Sequence, residues 1–299
     1  MSSLLLQKGM QGNASVIEQH LKDVGYQRLS AYWKPYMSGE NIHASIEDVW
    51  HTYCFDRKLR LCILDAIERI EVALRNKLVH AFCGMYGQCG YGYLHSEYFA
   101  PKAQDKWLAW CNKIEKETQR NNSAIVREFR SKYSNHHLPM WTACELMNFG
   151  GAVTLFEIVR KKIQQQVSLE LQVKSPEVLL TWLKLLNDVR NACAHQNRVW
   201  NRIWQRQPML PKNIMPWYYT FNNTTSKWEP SPQKPQPYSF PINQTGIVLT
   251  ICCQLVKQVA SASNWKQRLF DVFDDQRFSI VPLAKMGLPP HWREHPLWQ

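Results

Sequence analysis

The sequence has no C-x-x-C cysteine pair and no hydrophobic stretch long enough to cross a membrane. Its nine cysteines are scattered over 299 residues, and none stands in a C-x-x-C pair. Free thiols in a reducing cytosol therefore fit better than a disulfide framework, and no Cys/His set has zinc-site spacing. The longest mainly apolar run, 246–253, is far below the roughly 20 residues that span a bilayer. The opening MSSLLLQKGM has only a three-leucine run, too short for a secretory signal. We expect a cytoplasmic protein with no membrane contact, no metal and no other cofactor.

Acidic residues are scarce relative to basic ones. The chain has 24 Asp and Glu against 36 Lys and Arg, a net charge of +12. This excess favours anionic partners, either nucleic acid or an acidic membrane surface, and the clustering of the charges favours nucleic acid. Hydrophobic residues make up 45% of the chain, which is enough for a sizeable core. Most of the thirteen tryptophans are expected to be buried anchors of that core or of an interface.

Strand signals are few, and long amphipathic patterns predict an all-α bundle. Residues 56–82 carry apolar side chains on one side of a helical wheel and charged ones on the other, without glycine or proline. The glycine-rich 83–93 that follows lacks a preceding strand and phosphate-loop spacing, so it predicts a loop. Pro176 suits the first turn of a helix capped by Ser175. Further helices are predicted at 13–37 (one or two), 102–120, 123–132, 141–166, 176–206, 242–260 and 264–275.

Residues 207–245 differ from the rest of the chain. They contain eight prolines and turn-forming residues such as NNTTS. We expect a long loop or insertion, with a short hairpin around WYYTFNNTTSKW.

A histidine and several arginines cluster in one short stretch, VRNACAHQNRVWNRIWQR, residues 189–206. On a continuous helix, Asn191, His195, Arg198, Arg202 and Arg206 fall within an arc of about 80°. No acidic residue occurs between 189 and 227 to neutralise them. The pattern allows two interpretations: a solvated basic face, or a site for an anion.

Arg190 does not fit on that arc. It lies five positions before His195, about 140° away on a straight helix. One site within a monomer would therefore require the helix to kink or end nearby. Otherwise a two-fold dimer could bring the segments of two protomers together.

The stretch from Arg190 to His195, R-N-x-x-x-H, resembles the R-x(4–6)-H motif of HEPN domains. Wider blocks resemble, in the expected order, those of the bacterial Abi-like family, which includes the AbiD and AbiF abortive-infection proteins. These blocks are YQRLSAYW (26–33), FDRKLRLCILDAIERIEVALRNKL (55–78), LPMWTACELMNFGG (138–151), VRNACAHQNRVWNR (189–202) and MGLPPHWREHPLW (286–298).

The resemblance implies a single HEPN-like α-helical domain over residues 1–299, with additional N- and C-terminal helices and 207–245 as an insertion. It implies a homodimeric endoribonuclease toxin of abortive-infection phage defence, or of a toxin–antitoxin system. It also implies RNA as substrate, and in the AbiF-like branch a small structured RNA that restrains the toxin.

Catalytic roles follow from the chemistry of RNA, whose 2′-hydroxyl can act as the nucleophile without a metal. Histidine suits proton transfer near neutral pH, and a guanidinium can hold two oxygens of the phosphorane. We expect His195 to transfer protons, Arg190 to neutralise charge and Asn191 to position the hydroxyl or phosphate.

Flanking phosphates are assigned to arginines outside the motif, namely Arg198, Arg202, Arg206 and Arg75. Arg75 begins a second R-x(4)-H, ending at His80, in a charged stripe of the 56–82 helix. A histidine near a helix end is usually structural, so His80 is not assigned a catalytic role.

Two rival interpretations come from other functional classes, and a third concerns the nucleophile. A non-catalytic RNA-binding protein would use the same basic face without turnover, and a structural helical adaptor would bind no RNA. A thiol nucleophile is discarded because Cys193 and His195 point about 200° apart on a helix.

Overall fold

In the computed structural model, one long helix forms the axis of the fold. It runs from Ile46 to Tyr86, 41 residues, or about 60 Å. The Oγ of Ser45 accepts the backbone N–H of Asp48 at 3.0 Å and caps its start. Gly87, with φ 83°, ends it, because a residue without Cβ adopts this conformation without strain. The helix predicted for residues 56–82 is therefore confirmed, but the observed helix begins ten residues earlier than predicted.

The structure describes residues 1–87, 90–212, 215–230 and 241–299. Within these ranges it contains twelve α-helices, two short antiparallel hairpins and several 3₁₀ turns, which confirms the all-α prediction. The helices are α1 (Ser2–Gln7), α2 (Ala14–Val24), α3 (Tyr26–Trp33), α4 (Ile46–Tyr86), α5 (Gln104–Arg120), α6 (Ala124–Lys132), α7 (Met140–Glu145), α8 (Phe149–Ile158), α9 (Lys161–Glu170), α10 (Pro176–Ala194), α11 (Thr245–Val259) and α12 (Trp265–Asp274). The strands are β1 (Met37–Ser38), β2 (Asn41–Ile42), β3 (Tyr219–Asn222) and β4 (Lys227–Pro230).

Helices from both ends of the sequence pack around α4. It is surrounded by α9, α10, α11 and α12, and it also contacts α3, α7 and α8. Helix α8 lies between α5 and α10. The apolar side of the wheel is buried as predicted, and Leu59, Ile63 and Ile70 are fully inaccessible. Most tryptophans are also in the core, but Trp141 is an exception at 51% exposure. The division of the chain into domains stays a prediction.

The predicted 141–166 helix is wrong, because this stretch forms parts of three helices. The side chain of Asn148 accepts the backbone N–H of Gly151 at 2.9 Å and starts α8. Val159 then adopts an extended conformation and forms a β-bridge with Phe99. A cap and a non-local pairing thus interrupt a continuous helical pattern.

The proline-rich 207–245 segment contains the predicted hairpin. β3 and β4 pair antiparallel, with Phe221 opposite Trp228. The remainder of this segment includes residues 213–214 and 231–240, which lie outside the described residues. Within the described part of the chain, no helix combines the length and apolar character needed to cross a bilayer.

Candidate active site at the end of helix α10

Helix α10 carries the R-N-x-x-x-H motif in its last turn. It begins as predicted, with Pro176 in the first turn and the Oγ of Ser175 accepting the backbone N–H of Val178 at 3.4 Å. Its buried side, which includes Leu186, Val189 and Cys193, packs on α4 and α8. The opposite side is half-buried along most of the helix and becomes exposed at its end, at Asn191 and Ala194.

The predicted continuation of this helix to residue 206 is wrong, because α10 ends at Ala194. The backbone N–H of Asn197 donates to the carbonyl of Ala192 at 2.8 Å, and that of Gln196 donates to Cys193 at 2.9 Å. Gln196 is left-handed, with φ 57°. These paired bonds form a Schellman motif, which stops a helix by satisfying its last carbonyls. His195 is thus the C-terminal cap residue of α10.

Because the helix ends there, the three downstream arginines do not form one helical face. The guanidinium of Arg198 donates to the carbonyl of Ala31 and is half-buried. Arg202 lies over the ring of Trp204, 4.6 Å from its centroid. Arg206 pairs with a carboxylate just upstream of the motif, that of Asp188, at 2.8 Å.

Arg75 is also neutralised by carboxylates. Its guanidinium bonds Glu71, one turn earlier in α4, and lies 3.9 Å from Glu145. The side chain of Arg75 is only 14% exposed. His80, the other end of the second R-x(4)-H, is exposed on the same helix.

The motif residues line one exposed side of the end of α10, which we call the motif strip. On the helical wheel, Arg190 and His195 mark its two edges, about 140° apart. Asn191 and Ala194 lie between these edges, and both are exposed. Within the described residues, the side chains of Arg190, Asn191 and His195 have no hydrogen-bond or ion-pair partner. Arg190 is half-buried and His195 is exposed, so the two residues stand at the edges of one partly accessible surface.

The start of α8 borders the motif strip on the side towards the N-terminus of α10. A Cβ on Gly150 would come within 3.2 Å of the amide oxygen of Asn187, one turn before Arg190. Lys113 reaches the same corner, with its Nζ 3.5 Å from the amide oxygen of Asn148. The absence of a side chain at Gly150 lets the two helices approach closely here.

A buried carboxylate fixes the chain just after the motif. Asp56, on α4, is fully buried, and its Oδ1 accepts the backbone N–H of Val199 at 3.1 Å and of Trp200 at 2.6 Å. Its Oδ2 accepts from the hydroxyl of Tyr32 at 2.6 Å and from the guanidinium of Arg60. Burial raises the pKa of Asp56, and the guanidinium, the hydroxyl and the two backbone N–H groups that donate to its carboxylate oppose this rise.

Sequence reasoning missed this network, although a signal for it exists. On the α4 wheel Asp56 falls on the same side as Leu59 and Ile63, so its burial could be read from the pattern. A carboxylate in that position requires a cation and donors, and Arg60 stands four residues later. Tyr32 has no comparable signal, because it comes from a different helix.

The neighbouring thiol is not available as a nucleophile. Cys193 is buried, and this burial, together with the charge of Asp56, raises its pKa to about 12. A thiolate is therefore a negligible species at neutral pH. This agrees with the rejection of a cysteine nucleophile from helical geometry.

Comparison with known proteins identifies the family. A model described as Abi-like protein matches residues 19–201 of the 299, more than half of the chain. The chain belongs to the Abi-like protein family. The matched region runs from α2 to the residue after Trp200, so it includes Asp56 and the whole motif strip. Membership suggests a part in abortive infection, a bacterial defence against phage.

The block at 286–298 lies outside the matched range. No curated protein and no solved structure matches the chain.

Proposed function

We propose that the protein is a metal-independent endoribonuclease toxin of a HEPN type, acting in abortive infection or as a toxin–antitoxin component. The observation that carries the proposal is the motif strip. The half-buried Arg190 and the exposed Asn191 and His195 are presented together there, without hydrogen-bond or ion-pair partners among the described residues. Exposure alone would also fit a solvated face, and the match of this region to the Abi-like family model supports the functional interpretation.

The proposed reaction breaks one phosphodiester bond of RNA. A base takes the proton of the 2′-hydroxyl, whose oxygen attacks phosphorus as the bond to the 5′-oxygen breaks. An acid returns a proton to that leaving oxygen. The products are a 2′,3′-cyclic phosphate and a 5′-hydroxyl. Arg190 balances the charge that accumulates on the phosphorane, His195 transfers protons and Asn191 orients the hydroxyl or phosphate.

Two proton transfers per cleavage favour a dimeric site. Each motif strip holds one histidine, and a base and an acid are both needed. A two-fold axis beside the strips would bring in a second His195, so one histidine could act as base and the other as acid. We therefore propose a homodimer with a shared active site. A small structured RNA that covers this surface would restrain the toxin.

The four arginines assigned to flanking phosphates differ in whether a carboxylate already neutralises them. Arg198 and Arg202 have no carboxylate partner among the described residues. Arg206 and Arg75 stay predictions, and a phosphate would have to compete there with Asp188 or Glu71.

The test compares wild type with His195→Ala and Arg190→Ala. Wild-type protein should cut RNA in vitro and arrest growth when expressed, and both variants should lose each activity. Matched controls are His137→Ala and Arg127→Ala, since both residues are exposed and lie outside the strip. Variants that fold normally, bind RNA and still arrest growth like wild type would overturn the assignment. If no variant or wild type cuts RNA but all bind it, the protein is the non-catalytic RNA-binding alternative.

A further inference from the structure

A groove separates α3 from the segment that follows His195. It has two connected parts of about 570 and 280 Å³, which share Gln27, Ala31 and Arg198 in their walls. The smaller part reaches Gln196 and Asn197, directly after the histidine. We call the whole the α3 groove.

Four cationic side chains line the α3 groove, and no Asp or Glu does: Arg28, Lys34, Arg198 and Arg202. Within the described residues, none of the four forms an ion pair. The nearby carboxylate of Asp56 is buried and already bound by Arg60, Tyr32 and two backbone N–H groups.

The contacts that these cations do make hold them at the groove without neutralising them. Arg28 donates to the side-chain oxygen of Gln196, and Arg198 donates to the carbonyl of Ala31. Arg202 packs over Trp204. Each guanidinium keeps N–H donors for another acceptor. Burial lowers the pKa of Arg198, so an incoming anion would stabilise its charged form.

We propose that the α3 groove binds the sugar–phosphate backbone of the RNA strand on one side of the cleaved phosphate. This inference rests on the proposed function and adds the path of the substrate. The cations are spread along two connected parts instead of converging on one point, which suits successive phosphates better than a single anion. The groove also begins beside Gln196, the residue after His195, so it lies next to the motif strip.

Binding is measured in the full-length His195→Ala protein, so that cleavage does not interfere. The probe is a fluorescent single-stranded RNA 12-mer, titrated at several NaCl concentrations. Arg28→Gln, Lys34→Gln and Arg202→Gln are added singly and together, with Arg127→Gln as the matched control. Each groove substitution should weaken binding by about fivefold, and the triple variant should lower the salt slope by about two, at roughly 0.7 per phosphate contact. Arg127→Gln should change neither quantity.

The outcomes separate this inference from the proposed function. If wild type cuts RNA but the triple variant binds the 12-mer as tightly as the control, the groove is not the path of the strand. If wild type never cuts RNA while the triple variant loses binding, the groove proposal stands and the nuclease proposal fails. If a mononucleotide displaces the 12-mer at equal phosphate concentration, the groove binds single anions and the proposal of a binding site for an RNA strand is wrong. Thermal unfolding checks that Arg202→Gln, which alters the packing on Trp204, remains folded.

Discussion

The Oδ1 of Asp56 accepts the backbone N–H of Trp200 at 2.6 Å, across 144 positions of the sequence. This bond joins the middle of the fold to the segment that leaves the motif strip. α4 supplies the carboxylate, and the chain after the Schellman turn supplies the donors. The position of His195 at the end of α10 is thus set from both sides, by the helix before it and by Asp56 after it.

Replacing Asp56 should destabilise the fold more than replacing an exposed acid does. Asp56→Ala leaves Arg60 without its carboxylate in the interior and two backbone N–H groups unsatisfied, which should cost about 3–5 kcal/mol in the free energy of unfolding. Glu18→Ala removes an exposed pair with Lys22 and should change the free energy of unfolding far less. Urea unfolding followed by circular dichroism measures both.

The double variant Asp56→Ala, Arg60→Met tests the cause. Removing the second buried charge should restore part of the lost stability, because the uncompensated guanidinium is gone. Equal losses for Asp56→Ala and Glu18→Ala would show that the buried network contributes little.

Helices with an unbroken hydrophobic period could be predicted from the sequence. α4, α5 and α12 are confirmed because each buries one stripe, and the period alone reports that stripe. α11 is also confirmed, although it is buried on nearly all sides. What failed was the location of ends and breaks. The break at Val159 depends on pairing with Phe99, a non-local contact that no local pattern encodes.

The end of α10 shows how a boundary can be missed. Schellman turns usually have glycine at the left-handed position, but this one has Gln196, so the expected stop signal is absent. A second signal was present. After Cys193 the next positions of the buried stripe are Gln196 and Asn197, both polar, and the stripe therefore stops. The motif itself could be recognised in the sequence. The placement of Arg198 and Arg206 could not be predicted, because it depends on where α10 ends.

A buried histidine should make the stability of the fold depend on pH. His295 is fully buried and packs against Trp228, with ring centroids 4.5 Å apart. Burial lowers its pKa from 6.5 to about 4. The neutral form is therefore favoured in the folded state, and its stabilising contribution is fully present above pH 6.5. As pH falls towards 4, the unfolded chain takes up the proton first, and about 3 kcal/mol should be lost.

The comparison of wild type with His295→Asn isolates this effect. The asparagine amide oxygen can replace the ring Nδ1 that accepts the backbone N–H of Leu297 at 3.1 Å. The variant should lose less stability between pH 6.5 and 4 in urea titrations at fixed temperature. Parallel pH profiles for the two proteins would mean that His295 titrates normally in the fold.

Cleavage should need the 2′-hydroxyl and should not need a divalent ion. In excess EDTA, wild type should keep its rate and leave 2′,3′-cyclic phosphate ends, because the nucleophile comes from the substrate. A single 2′-deoxy substitution before the cleaved phosphate should block cutting there and leave neighbouring sites intact. Mass spectrometry of the products detects both the 2′,3′-cyclic phosphate ends and the missing cut. Activity lost in EDTA and restored by one added ion, but not by refolding the RNA, would contradict the mechanism.

The proposed shared active site predicts complementation between two inactive proteins. Arg190 and His195 lie at opposite edges of one motif strip, so a two-fold axis can set the arginine of one protomer beside the histidine of its partner. After subunit exchange, Arg190→Ala mixed with His195→Ala should regain part of the cleavage rate, because a heterodimer keeps one intact arginine and one intact histidine. The rate should stay below that of wild type, because the second histidine of the acid–base pair is missing. The double variant Arg190→Ala, His195→Ala mixed with either single variant lacks one of the two side chains in every pairing, and should regain nothing. Sedimentation velocity gives the oligomeric state of each mixture. A strict monomer that still cuts RNA would rule the shared site out, and both side chains would then have to reach one phosphate across the single exposed strip.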